Sequence, residues 1–349
     1  MPTGLSKSPT FPPLPDPFDL VVQKTEQIPV SIISGFLGSG KSTLINRWLR
    51  TPQAQRCAVI VNEFGEIGLD HLLVEHVAED TVLLNNGCLC CAVRSDLVVT
   101  LRHLLERRER GELPRYSRVI IETSGLADCA PIMQSFMTDP LRLSVYGLDI
   151  VLVTVDAELG GKTLERHVTA RRQLALADQV LVTKGDRVAA DKEKACIANL
   201  ANYSTAPICR ATDWPGFVSA NVFHNNAQRT PAHDGKHSHL HNEEHCCVHY
   251  WLTKPIELAV LYKWASSLLD EFGDDILRIK GLLGVTHDNR PYTFQCVQHI
   301  IDQARPLERW PDAHRNGWLE VIANRNLDRP IHNRLAALST PGSAGTSSS

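Results

Sequence analysis

Short apolar, β-branched runs recur between Val30 and Lys184: Val30–Ile33, Ala58–Val61, Thr81–Leu84, Arg118–Ile121, Ile150–Val155 and Gln179–Val182. They are separated by stretches of helical periodicity, among them Thr43–Leu49 and Leu97–Glu109. Strand and helix alternating in this way predict an α/β fold on a doubly wound, mostly parallel sheet, with ligands at the carboxyl ends of the strands. From Trp214 to His249 the periodicity lapses into Asn, His, Gly and Pro, which reads as a linker. Beyond it Pro255–Phe272 predicts a helix, and Leu277–Leu282, Tyr292–His299 and Leu319–Ala323 predict strands. These make a smaller C-terminal α+β domain of about 90 residues.

The chain therefore divides into an N-terminal segment 1–27, an α/β domain 28–213, a linker 214–249, an α+β domain 250–338 and a tail 339–349. Six prolines in the first segment and the Ser/Gly/Thr-rich tail predict disorder at both ends. A length of 349 residues, 43% of them hydrophobic, agrees with two cores, at roughly 100–200 residues per domain.

Charge adds an exclusion. With 36 Lys+Arg against 39 Asp+Glu the chain has no excess of positive charge to bind nucleic acid non-specifically. No run of 18 apolar residues and no signal-peptide pattern is present, so the expectation is a cytoplasmic protein that does not engage a membrane.

The ten cysteines and fifteen histidines are clustered, with Cys88-Leu89-Cys90-Cys91, Cys246-Cys247 and seven histidines from His224 to His249. Adjacent cysteines do not bridge each other without strain, so the clusters point to metal handling in a reducing compartment.

Gly35-Phe36-Leu37-Gly38-Ser39-Gly40-Lys41-Ser42 matches G-x-x-x-x-G-K-[ST] between an apolar strand and an amphipathic helix. Its glycines turn backbone N–H groups onto phosphates, Lys41 neutralises β and γ charge, and the Ser42 hydroxyl ligates Mg²⁺. A nucleotide site follows. In Thr183-Lys184-Gly185-Asp186 the Asp186 carboxylate would accept from guanine N1 and N2 and so select GTP; a solvated loop is the blander alternative. Arg118–Gly125 is an apolar strand that ends in Glu122, placed to hold Mg²⁺ through water, and in Gly125, whose N–H can sense the γ-phosphate.

Asn86-Gly87-Cys88-Leu89-Cys90-Cys91 falls at the end of another strand, on the same sheet edge. Three thiolates in four residues converge on one soft ion and leave a fourth position open; a closed structural zinc site or inert buried thiols are the alternatives. The loop Asn62–Asp70 carries Glu63 and Glu66, suited to contact Mg²⁺, to orient water in catalysis or to complete the metal site, or else a charged surface turn. His233, His237, His239, His241, His245 and His249 with Cys246 and Cys247 read as a loose metal-collecting segment, against a merely polar linker.

Taken in order, GFLGSGKSTL, VNEFGEIGLD, NGCLCC, IIETSGLAD and TKGD resemble the CobW-type P-loop GTPases, which include zinc metallochaperones. The resemblance continues through Leu277–Gly281 and Phe294–Gln298 and covers about residues 28–337. It implies a P-loop NTPase fold and a GTP-hydrolysing metallochaperone that passes zinc, or cobalt, nickel or iron, to a client metalloprotein. Carried over position by position, Cys88, Cys90 and Cys91 would ligate the metal. Gly35, Gly38, Ser39, Gly40, Lys41, Ser42 and Thr43 would hold phosphate, with Thr183, Lys184 and Asp186 at guanine. The catalytic set would be Lys41, Ser42, Glu66 and Glu122. Two departures stand out: Cys129 replaces a proline common in relatives, and Val61 stands where some have a metal-ligating glutamate. A P-loop ATPase or kinase with structural cysteines and a nucleotide-modulated zinc store or sensor are the competing readings, and a homo-oligomer is left open.

Overall fold

The computed structural model describes residues 27–54, 56–62, 82–86, 93–138, 145–217, 239–241, 245–311, 315, 317–324 and 326–339. The N-terminal segment and the tail expected to be disordered lie outside the described residues, apart from Gln27 and Ser339.

Seven described strands form the first sheet: β1 (Ile28–Ser34), β2 (Cys57–Asn62), β3 (Val82–Asn86), β4 (Arg118–Glu122), β5 (Tyr146–Asp156), β6 (Gln179–Thr183) and β7 (Ile208–Arg210). Their order is β3-β2-β4-β1-β5-β6-β7, with every neighbour parallel. The helices α1 (Lys41–Leu49), α2 (Val93–Glu109), α3 (Ala130–Thr138), α4 (Gly160–Arg166), α5 (Val168–Ala175) and α6 (Ala190–Leu200) follow these strands in alternation. This is the doubly wound α/β architecture that the run pattern predicts. Buried Val, Ile and Leu from both faces of the sheet feed two separate cores, which explains why these strands are continuous apolar runs with no polar alternation.

The second sheet is antiparallel, ordered β12-β11-β10-β14-β9-β8, with β13 beside β11. It comprises β8 (His239–His241), β9 (His245–Leu252), β10 (Ile276–Val285), β11 (Asp288–Val297), β12 (Ile300–Ile301), β13 (Arg305–Pro306) and β14 (Gly317–Asn324). Helices α7 (Leu258–Phe272) and α8 (Asp328–Ser339) cover one face through Leu261, Leu268, Ile331 and Leu335.

Here the structure differs from the expectation of a linker reaching His249. Cys246 and Val248 point into the helix-covered core, while Cys247 joins the core shared with the first domain. The alternation in His245–Leu252 is that of a buried strand whose histidines sit in strand register, not in a loose segment. His239 and His241 lie in β8, paired with Val248 and Cys246, while His233 and His237 lie outside the described residues.

One row across the second sheet is charged. Lys280, Glu320 and His249 stand opposite one another on β10, β14 and β9, all buried. Lys280 Nζ lies 3.0 Å from Glu320 Oε1, and His249 Nδ1 lies 3.7 Å from Oε2. Burial alone would raise the Glu320 carboxyl; the Lys280 ammonium and His249 outweigh it and hold the group well below the usual carboxylate range. A folded-state value below the unfolded one contributes stability that is present above pH ~4.3 and is lost as pH falls through the folded value. Lys280→Met strands a buried carboxylate, so chemical denaturation at pH 7.5 should show a loss of about 3–5 kcal/mol. That deficit should shrink toward pH 5, where burial now protonates Glu320.

Candidate functional site: a nucleotide edge

The site is built at the carboxyl ends of β1, β4, β5 and β6. β1 stops at Ser34 and the chain turns through Gly35, at φ 137°. A Cβ on Gly35 would lie 2.5 Å from the Thr154 carbonyl and hydroxyl oxygens, so only glycine lets the loop leave the strand this close to β5. Gly38 and Gly40 also hold positive φ, and Gly40 caps α1. Ser39 shares a 2.7 Å buried hydrogen bond with Thr154, and its carbonyl accepts from the Thr183 hydroxyl at 2.6 Å. The loop is tied to β5 and β6.

Lys41 is buried at the start of α1, and its ammonium donates to the Gly35 and Phe36 carbonyls at 2.9 and 3.3 Å. Ser42 Oγ donates to Glu122 Oε1 at 2.7 Å, which joins the first turn of α1 to the end of β4. A hydroxyl and a carboxylate side by side are hard oxygen donors at the mouth of a phosphate loop, and they suit Mg²⁺. Thr43 is exposed on the next position of α1. Thr123 N–H donates to the Ile33 carbonyl at 2.9 Å, so β4 stays paired with β1 up to the turn that contains Gly125. A Cβ on Gly125 would lie 2.6 Å from Leu37 N; this turn rests directly on the phosphate loop.

On the other side the structure gives Thr183 and Lys184 bracing roles. Lys184, in the left-handed region at φ 55°, donates to the Gly38 carbonyl and to Asp156 Oδ2, both at 2.6 Å. Asp186 lies exposed in the short turn Gly185–Arg187. Gly185 abuts Glu193, whose other oxygen pairs with Arg210 at 2.9 Å, so the turn is backed by α6 and β7.

Asp156 belongs to none of the sequence motifs. Its carboxylate accepts from Glu158 and Leu159 N–H at 2.7 and 3.2 Å as well as from Lys184. Burial would raise this carboxyl, but Lys184 and the two N–H groups lower it below its ordinary value. The available signal was its place: an acid that ends an apolar strand at the ligand edge. His167 stacks on Phe36 of the loop with ring centroids 4.4 Å apart.

Cys129 is wholly buried in the first core, and burial, with Asp128 nearby, pushes its thiol up to about 12. Cys88, Cys90, Cys91, Glu63 and Glu66 lie outside the described residues; β3, the strand before the three cysteines, ends at Asn86 on the same sheet edge as the phosphate loop. Among the described residues no group of three or more His, Cys, Asp or Glu converges as a metal site.

Residues 29–208 match the CobW/HypB/UreG nucleotide-binding domain, and residues 246–338 match the cobalamin synthesis protein cobW C-terminal domain. The chain belongs to the CobW-type P-loop GTPases. It is 31% identical to the zinc chaperone YjiA of Escherichia coli over 319 residues, 89% of this chain and 98% of that protein. The zinc chaperone CobW of Pseudomonas aeruginosa is likewise 31% identical, over 90% of this chain and 92% of its own. A zinc-bound triple variant of the YjiA GTPase superposes with a TM-score of 0.64 at 25% identity, covering 90% of this chain and all of that one. Both domains of this CobW-type GTPase thus have counterparts in one solved chain.

Two outcomes follow for the purified protein. Gly125→Ala forces a Cβ into Leu37 and should weaken GTP binding by about tenfold or more, about 1.4 kcal/mol by calorimetric titration. The Cys129 thiol should resist iodoacetamide at pH 8 in the folded protein and react after denaturation, as peptide mass spectrometry would read.

Proposed function

We propose that the protein is a GTP-hydrolysing metallochaperone that binds zinc, or a related divalent ion, through Cys88, Cys90 and Cys91 and passes it to a client metalloprotein in the cytoplasm. The single observation that carries this reading is topological. The strand before Cys88 ends on the sheet edge where Gly35–Ser42, Glu122 and Gly125 gather. A soft-ion loop and a phosphate loop on one edge cannot change one ligand without biasing the other, which is thermodynamic coupling. The zinc chaperones similar to this chain support zinc as the cargo.

Chemically, the chain's own groups position and neutralise. Backbone N–H groups of the loop and Lys41 bind the phosphates, Asp186 takes the guanine edge, and Asp156 with Lys184 keeps the guanine turn in register with Gly38. Ser42 and Glu122 are the residues to hold Mg²⁺, which when bound neutralises charge on the β and γ oxygens. The Gly125 N–H, resting on the loop, distinguishes triphosphate from diphosphate. Glu66 is the proposed group to orient the attacking water.

Cys90→Ser with Cys91→Ser should lower zinc affinity by at least about a hundredfold in a chelator competition, while GTP affinity measured without metal stays unchanged; retained zinc affinity would remove the cargo assignment. Asp186→Asn should cut the preference for GTP over ATP by about a hundredfold, because the pocket loses the acceptor that only guanine satisfies. Equal binding of ATP and GTP by the unmodified protein would instead favour an ATPase.

A further inference from the structure

We propose that Gln173 positions the turn containing Gly125 and, acting through helix α5 and Arg278, couples the nucleotide state to the C-terminal sheet. The inference rests on the reading of Gly125 as the residue that senses the γ-phosphate.

Gln173 is almost fully buried on α5, and its amide nitrogen donates to two carbonyls of the turn, Gly125 at 3.2 Å and Ala127 at 2.8 Å. Both partners are acceptors, so the orientation of the amide is dictated. Its oxygen accepts no hydrogen bond among the described residues, which makes the turn the whole polar attachment of this side chain there. A buried amide that loses its partners is costly, so Gln173 must follow the turn when the turn moves. Beside it lies a cavity of about 120 Å³, lined by Phe36, Leu37, Leu159, Ala170 and Leu174 as well as Gln173, which leaves room for such a shift.

One turn of helix further on, α5 is capped by Leu176, whose carbonyl accepts from Arg278 Nη1 at 2.6 Å. Arg278 also pairs with Asp178 at 2.9 Å and donates to Gln295 at 3.1 Å. A guanidinium on the carbonyl end of a helix is favoured by the helix dipole, and its planar fork binds these three acceptors rigidly. The second arm is continuous chain. α3 begins directly after the turn, at Ala130 capped by Asp128, and its Gln134 donates to the Val297 carbonyl at 3.3 Å and to Gln298 Oε1 at 2.7 Å. Arg278 and Val297 are opposite residues on β10 and β11. Both arms leave the same turn and end on one cross-strand pair of the C-terminal sheet, so displacement of the turn is delivered to a single place.

Coupling between sites of this kind changes equilibria by about five- to 150-fold. Hydrogen exchange on the full chain with Mg²⁺ and either GDP or GTPγS reads both ends. The expected result is about a tenfold difference in exchange at Gly125–Ala127 and at Val297–Gln298 between the two nucleotides. Gln173→Leu should keep GDP affinity within about twofold and cut the difference at Val297–Gln298 by about half or more, the rest being carried by α3 and Gln134. Arg278→Lys, which keeps the charge and loses the fork, should leave the response of the turn and GTP hydrolysis intact while cutting the response at β11 by the same factor. A β11 response undiminished in either folded variant overturns the coupling. A wild-type response at the turn but none at β11 overturns it too, and leaves the Gly125 reading standing; no response at the turn overturns that reading and the coupling with it.

Discussion

The backbone of Gly35 runs so close to Thr154 that any side chain there would strike the β5 backbone, and this contact sets the path of the phosphate loop. β1 lies between β4 and β5 in a parallel sheet, so the residues that end these three strands meet at one edge whatever the loops do. Ser39 held by Thr154 and Thr183, and Gly38 held by Lys184, complete the lacing. A loop preorganised by its neighbours binds phosphate without first ordering itself, which is the condition for nucleotide contacts to report on Gly125 and Glu122 and not to be absorbed in loop motion.

The cost of that rigidity is carried by bracing residues. Thr183 and Lys184 belong to the guanine motif, yet their side chains here hold the phosphate loop, and Asp156 exists to anchor Lys184. Asp186, the proposed base-recognising acid, is left on an exposed turn, backed by the Glu193–Arg210 pair. Two loops that would otherwise be independent are thereby one unit.

The second domain shares a core with the first. Cys247, Leu277, Val297 and Ile322 lie in the cluster that also holds Met133, Phe136 and Ala177. Histidines and cysteines that suggest metal by type are strand residues in this setting: His249 stacks on Trp318 and faces Glu320, and Cys246 is packed under the helices. Burial raises the Cys246 thiol, with Asp328 adding to it, which opposes the thiolate that a metal requires.

Six of the seven strands in the first sheet, the phosphate loop and the acid at the end of β4 were legible in the sequence, because a parallel strand buried on both faces must be an apolar run and a phosphate loop must carry its glycines and lysine. The short β7 was not, since the three residues Ile208–Arg210 carry no pattern. Nor was the start of β9: a strand of His and Cys looks polar in sequence and is buried only because the helix-covered core and the first domain lie on its two faces. Asp156 and Gln173 were hidden for a related reason. Their roles are set by partners 28 and 46 to 48 residues away, and no local periodicity encodes a contact that distant. Which chemistry stands at the ends of the strands is written in local sequence; which of those groups touch is not, because sheet order and register, not chain order, place them side by side.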